Sequence, residues 1–264
     1  MLKIVDVKKT FNANTINEKK ALNGVDLTLE DGEFVTVIGT NGAGKSTLLN
    51  AIAGTFMVDS GKIYLDDIDI TKLPEYKRAK YIGRVFQDPM RGTAADMWIE
   101  ENLALALRRG KTRGLKQGIS NEERAKFREL LKDFDLGLED RLSTKVGLLS
   151  GGQRQALTLI MATLQQPKIL LLDEHTAALD PKTSKKVLEV TTKAIEKSKL
   201  TTFMVTHNMK DAIAYGDRLL MLDSGKIILD IKGNEKKQLT VEKLLNKFEK
   251  VSGEALMSDS MILG

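Results

Sequence analysis

The stretch that most restricts the fold is "FVTVIGTNGAGKST", residues 34–47. Phe34 to Ile38 are all apolar or β-branched, the pattern of a strand buried on both faces. They run directly into Gly39, Thr40, Asn41, Gly42, Ala43, Gly44, Lys45, Ser46 and Thr47, and then into "LLNAIAG", which predicts a short helix ending at Gly54. A strand, a glycine-rich turn and a helix N-terminus in immediate succession form a cradle for phosphate. The glycines let backbone N–H groups face the anion, Lys45 brings a positive charge to the terminal phosphates, and the Ser46 hydroxyl can ligate Mg²⁺. A turn that merely joins strand to helix is the plainer alternative, and the elements on both sides weigh against it.

Two later segments share the continuous apolar character: "ILLL", Ile169 to Leu172, and "TTFMV", Thr201 to Val205. Together with Phe34–Ile38 they predict a parallel sheet covered on both faces. Ligands gather beyond the carboxyl ends of such strands, and chemistry-bearing residues follow each one. Asp173 and Glu174 follow the second; adjacent side chains point differently, so Asp173 can hold Mg²⁺ through water while Glu174 polarises an attacking water. His207 follows the third and is expected to be functional by that placement. His175, the other of the two histidines, has nothing similar to recommend it and is read as structural. Earlier, "VDLTL" (Val25–Leu29) and part of "KIYLDDIDI" alternate apolar and polar residues, which predicts a half-exposed antiparallel sheet. "SNEERAKFRELLKDFD" predicts a helix, with Ser120 and Glu123 at capping-box spacing and Phe127, Leu130, Leu131 and Phe134 on one face.

Composition narrows the class further. There is no cysteine, so no disulfide framework, thiolate nucleophile or cysteine-ligated metal is expected, and a reducing compartment fits. No run approaches the roughly 20 apolar residues needed to cross a bilayer. The net charge of +5 is spread among interspersed acids and bases. The densest basic stretch, Arg108 to Gly118, is broken by glycines and lacks aromatic residues for base stacking, so it is read as a solvated loop and nucleic acid is not an expected partner. The four prolines are scattered, and one continuous domain is the simpler reading.

"LLSGGQRQALTLIMATL", residues 148–164, sets a serine and two glycines at the head of another helix, a second phosphate reader in a chain that already has one. "LSGGQRQ" resembles the signature of ATP-binding-cassette ATPases. In that family this loop reads the γ-phosphate held by the phosphate loop of a second subunit. The resemblance therefore implies a head-to-tail dimer in which each motif completes a different nucleotide site. It covers nearly the whole chain, in the family's order, and implies an α/β fold: a P-loop NTPase core with a mostly parallel sheet, an antiparallel β subdomain and an inserted helical subdomain. Residues 1–250 would form one domain, with core 1–88 and 155–250, helical subdomain about 89–154, and a short tail, 251–264.

The resemblance also implies roles. Phe11 stands where the family stacks an aromatic on adenine, usually a tyrosine. Gln87, in "VFQDP", matches the glutamine that contacts Mg²⁺ and the attacking water. Ser150, Gly151, Gly152 and Gln153 are the signature contacts, Asp180 in "AALD" matches a loop signalling across the dimer, and His207 matches the switch histidine. His175 takes a place where proline is commonest, but both carboxylates remain. ATP and Mg²⁺ are the implied cofactors; Lys45, Gln87, Glu174 and His207 would carry catalysis, and Ser46, Gln87 and Asp173 would hold the metal.

About a hundred residues separate phosphate loop and signature, too few for the long coiled coils of DNA-repair members. A single cassette argues against translation factors, and the lack of membrane spans against fused exporters. The expectation is a stand-alone subunit, a homodimer or heterodimer at the cytoplasmic face of the membrane, serving a separate permease. A permease segment would dock in the groove beside Gln87, bordered by "MRGTAADMWIEENLALA", with Trp98 as a candidate anchor. "DEHTAALDPKT", "VTHNM" and "GNEKKQLT" look like cassettes of bacterial importers served by a solute-binding lipoprotein and associated with amino-acid uptake, aromatic amino acids included. An ATP-switched binding or mechanotransmission module without solute transport is the alternative. Beyond Val241 only "VEKLLNKFEK" reads as amphipathic, and no separate regulatory domain is expected.

Overall fold

The computed structural model describes residues 1–111, 114 and 118–252. Part of the Arg108–Gly118 stretch and the tail from residue 253 lie outside the described residues. In chain order the elements are β1 (Leu2–Phe11), β2 (Lys19–Leu29), β3 (Phe34–Gly39), α1 (Lys45–Ala53), β4 (Ser60–Leu65), β5 (Ile68–Asp69), α2 (Glu75–Arg78), β6 (Ile82–Val85), α3 (Ile99–Leu107), α4 (Asn121–Lys132) and α5 (Gly151–Thr163). They continue with β7 (Ile169–Asp173), α6 (Pro181–Ser198), β8 (Thr202–Val205), α7 (Met209–Ala214), β9 (Arg218–Asp223), β10 (Lys226–Lys232), α8 (Gly233–Lys237) and α9 (Val241–Ser252).

Two sheets result. The antiparallel one has the order β2-β1-β4-β5, and its register sets Leu2 opposite Leu29 and Ile4 opposite Leu27. Alternation along β2 turns Val25, Leu27 and Leu29 inward, against Leu48, Leu49 and Ile52 of α1. The larger sheet runs β10-β9-β3-β8-β7-β6; the five strands from β9 to β6 are parallel, and β10 closes one edge antiparallel. Every residue of β3 and β8 is buried. Alternate side chains feed opposite faces: Leu171, Phe203, Val205 and Leu220 pack with α1, while Leu170, Leu172 and Met204 pack with Ala156 and Leu159 of α5 and Leu188 of α6. Ile38, Leu219 and Met221 meet Met209 of α7 and Leu244 and Phe248 of α9.

A third packing unit gathers Ile99 and Leu103 of α3, Phe127 and Leu131 of α4, and Leu138, Leu142, Val146 and Leu149. Leu157 and Ile160 of α5 join it, so α5, continuous across residue 154, packs into this unit and under the sheet at once. The Ser120–Glu123 capping box forms in both directions, at 3.1 and 2.9 Å.

The helix behind the phosphate loop is closed by Arg78, which is 1% exposed. Its guanidinium donates to the carbonyls of Ala51 (2.7 Å) and Ile52 (2.9 Å) at the C-terminus of α1, and to those of Leu73 (2.7 Å) and Thr71 (3.0 Å). Gly54 ends α1 at φ +82°, and a Cβ there would lie 2.6 Å from Arg78 Nε, so the turn needs glycine both for its backbone and for the arginine beneath it.

Candidate nucleotide site

The parallel register brings three loops to one edge of the sheet. Val37 pairs with Val205, and Val205 with Asp173. Thr206 N–H donates to Val37 O and Glu174 N–H to Val205 O, so the chain leaves β3, β7 and β8 at one level. Residues 39–47 form the turn after β3. Gly39 and Gly44 have φ of +151° and +104°, and a Cβ would come 2.2 Å from Leu222 O at Gly39 and 2.5 Å from Ala21 O at Gly44. Side chains there would collide with backbone, which is why the loop can sit against β9 and β2. Ala43 is buried, Asn41, Gly42 and Ser46 are exposed, and Thr47 is half-buried. Thr40 Oγ1 donates to Asp223 Oδ1 at 3.3 Å.

Lys45 is 7% exposed and folds back, donating to the carbonyls of Gly39 (2.8 Å) and Thr40 (3.1 Å). Burial lowers its pKa, opposed by the charges of Glu174 and Asp173. Glu174 sits at φ +44°, a left-handed conformation costly for a glutamate. Its Oε2 lies 3.6 Å from His207 Nδ1. Their pairing pulls Glu174 below its ordinary pKa against the effect of burial, and raises His207 above its own. Glu174 is thus held ionised, the form that accepts a proton from water. Asp173 behaves oppositely: burial raises its pKa, and Arg84, with Nη2 3.5 Å from Asp173 Oδ2, opposes this.

Phe11 is half-buried, edge-on to Phe56 at 5.3 Å between centroids. It pairs with Lys19 across the hairpin, and Lys19 Nζ comes 3.1 Å from where a Gly42 Cβ would stand. The strand partner of Phe11 therefore reaches the phosphate loop. Gln87 is exposed, just beyond β6.

The signature forms a separate cluster. Ser150 caps α5, with Gln153 N–H on its hydroxyl (3.3 Å) and Ser150 N–H on Gln153 Oε1 (3.2 Å). Gly151 approaches Leu179, and a Cβ at Gly152 would meet Thr183 Cγ2 at 2.2 Å, so α5 starts against α6. Asp180 caps α6, accepting from Thr183 N–H at 3.1 Å. Among the described residues no hydrogen bond joins 150–153 to 39–47 within the chain. His175 lies 2% exposed, with Nε2 3.1 Å from Thr191 Oγ1, and burial pushes its pKa down to about 4. Trp98, at 44% exposure, stands before α3 and lines a cavity with Glu101 and Leu105; it is not a core residue.

Lys19, Arg84 and Asp223 were not foreseen. Each reaches the site through strand pairing or long-range packing, and no local spacing marks them.

A buried lysine in a glycine loop, with an ionised glutamate paired to histidine on the same sheet edge, defines a P-loop nucleoside triphosphatase. Residues 22–177 match the family model described as ABC transporter. The chain is 51% identical over 250 residues to the tyrosine transport ATP-binding protein of Clostridioides difficile (strain R20291), covering 94% of this chain and 99% of that one. It is 34% identical over 231 residues to the methionine import ATP-binding protein MetN of Rhizobium johnstonii, covering 86% of this chain and 60% of that longer protein. Among solved structures it resembles the cassette MJ0796 in a dimeric post-hydrolysis state bound to ADP and Pi, with TM-score 0.75, 33% identity, and 88% and 98% of the two chains covered. The ADP conformation of the cassette MJ1267 matches with TM-score 0.76 and 27% identity, over 96% and 97% of the two chains. The chain belongs to the ABC transporter ATP-binding family, and is an ATP-binding, ATP-hydrolysing subunit of a transporter.

Proposed function

We propose that two copies of this chain, or this chain and a close relative, close head to tail around two Mg·ATP and open after hydrolysis, powering a separate permease that imports an aromatic amino acid such as tyrosine. The observation that carries the catalytic part is the Glu174–His207 pair at the edge that holds Lys45. The solute follows from the relative at 51% identity, matched over 99% of its length, whose name specifies tyrosine transport. Lys45 releases the Gly39 and Thr40 carbonyls to take phosphate oxygens, and the backbone N–H groups of 39–47 face the same anion. Phe11 offers its ring to the base. Glu174 takes the proton of the attacking water, and His207 holds it in place. Ser150, Gly151, Gly152 and Gln153 meet the nucleotide of the opposite subunit, and Asp180 lies at that junction.

Ser46, Gln87 and Asp173 offer oxygen donors only, the hard set that magnesium takes. Among the described residues no three His, Asp or Glu side chains converge on a metal, which fits an ion held mainly by phosphates and water. When bound, it would neutralise charge developing between the β- and γ-phosphates.

The permease docks beside Gln87, where Phe86, Arg84, Arg91 and Arg109 line a cavity of about 260 Å³. Arg84 and Arg91 stand 4.5 and 5.2 Å from the Phe86 ring. Three arginines line this cavity, so an acidic docking segment suits this surface. No described helix is long and apolar enough to cross a membrane, and the subunit works at the cytoplasmic face through its permease.

The test is purification of the tagged chain from gently solubilised native membranes, followed by mass spectrometry. Recovery of a multi-span permease with a solute-binding lipoprotein, and ATP-dependent tyrosine uptake by that complex in proteoliposomes, is expected. Recovery of only soluble proteins would refute transport and favour a switching module.

A further inference from the structure

The buried face of α5 is joined to the loop that carries Gln87. Gln155 is 1% exposed, and its Nε2 donates to the carbonyl of Phe86 at 3.0 Å, across 69 residues of sequence. A flipped amide would set oxygen against oxygen, so the acceptor fixes the orientation. One turn on, Thr158 Cγ2 lies 3.1 Å from the Cβ position of Gly92. Next to Gln155, Arg154 reaches Met90 Sδ with Nη1, while its other nitrogens bond the carbonyls of Val146 (3.3 Å), Gly147 (3.0 Å) and Leu149 (3.2 Å), the segment leading into Ser150. The first turn of α5, the approach to the signature and the loop 86–92 are thereby one mechanical piece. A further feature singles out Gln155. Its Oε1 is buried without a donor among the described residues, whereas buried polar atoms are nearly always satisfied. Half of this amide holds the loop and half has no partner among the described residues.

We propose that Gln155 is a positioning residue that links the signature to the glutamine loop of the same chain, so that capture of the opposite subunit's nucleotide at Ser150–Gln153 resets Gln87. The inference rests on the head-to-tail dimer. In it, Gln155 touches neither nucleotide nor metal; its donor pulls on the Phe86 carbonyl one residue before Gln87, and α5 supplies the lever. Each site's glutamine then reports whether that chain's signature is engaged.

Hydrogen–deuterium exchange on the full-length Glu174→Gln protein tests this, with saturating Mg·ATP at protein concentrations where it is monomeric and where it is dimeric. The difference between the two isolates the effect of dimerisation from that of each chain's own nucleotide. The parent should show dimerisation-dependent protection in both 146–158 and 86–92. Adding Gln155→Leu should leave the first response and cut the second at least threefold, with ATP affinity unchanged. Gln155→Met, which keeps length and lacks the donor, should match Gln155→Leu and guards against a packing defect in either variant. An undiminished response of 86–92 in either well-folded variant overturns the link alone. No dimerisation-dependent response anywhere in the parent overturns the dimer, and the link with it.

Discussion

Acid should weaken this fold through a single buried ring. His175 is 2% exposed, and its pKa falls from 6.5 to about 4 because the charged form is denied water. Thr191 donates its own hydroxyl proton to Val187 O at 2.8 Å, so at the 3.1 Å contact the imidazole is the donor, protonated at Nε2 and neutral. Above pH 6.5 folded and unfolded chains both hold a neutral imidazole, and the group costs nothing. Below 6.5 the unfolded chain takes up a proton that the folded one refuses until about pH 4, so stability is lost as pH falls through that window. The linkage gives a loss of about 2 kcal/mol at pH 5 and about 3 kcal/mol at pH 4. Urea unfolding of the wild type and His175→Leu at pH 7.5 and 5.0 isolates the effect, since every other titrating group is shared. The leucine variant should be less stable at pH 7.5 by about 1 kcal/mol, for the lost hydrogen bond. It should then lose about 2 kcal/mol less than wild type on going to pH 5. Equal losses in the two proteins would refute the reasoning.

Glu174→Gln should bind Mg·ATP but lower turnover by roughly 100-fold or more and accumulate an ATP-stabilised dimer by light scattering; a monomer in saturating Mg·ATP would count against the base assignment. Lys45→Ala should lose nucleotide binding by calorimetry and all turnover, and retained ATPase activity would sink the role given to the phosphate loop. Arg78→Met leaves four backbone carbonyls without their donor and should cost about 3 kcal/mol or more in urea unfolding; a loss under about 1 kcal/mol would refute its capping role.

The sheet was legible where burial was two-sided. β3, β7 and β8 are apolar or β-branched throughout the buried run because both faces are covered, and no polar alternation blurs them. The end of α1 at Gly54 was legible because only a flexible residue turns there at φ +82°. What escaped was partnership at long range. Arg78 in "EYKRAK" looks like any solvated cation, since its four acceptors come from two separate segments of chain, residues 51–52 and 71–73. Lys236, 4% exposed, holds the carbonyl of Gly216 at 2.8 Å from a stretch that reads as charged surface. The structural reading of His175 agrees with its burial, although two acidic neighbours precede it: the left-handed turn at Glu174 redirects the chain so that the ring faces α6. No motif marks the double role of α5, which serves two packing units in one unbroken helix across residue 154.

Arg78 also changes what the phosphate loop presents to its ligand. A nine-residue helix such as α1 carries about half a positive charge at its start and half a negative charge at its end, roughly 14 Å apart. Here the start has no acidic residue and no side-chain cap, while the Ala51 and Ile52 carbonyls at the end face a buried guanidinium. With its negative pole masked, α1 acts on a distant anion less as a dipole than as a lone fractional cation. The field at the phosphates thus owes part of its strength to a side chain at the opposite end of the helix, one that no nucleotide ever touches.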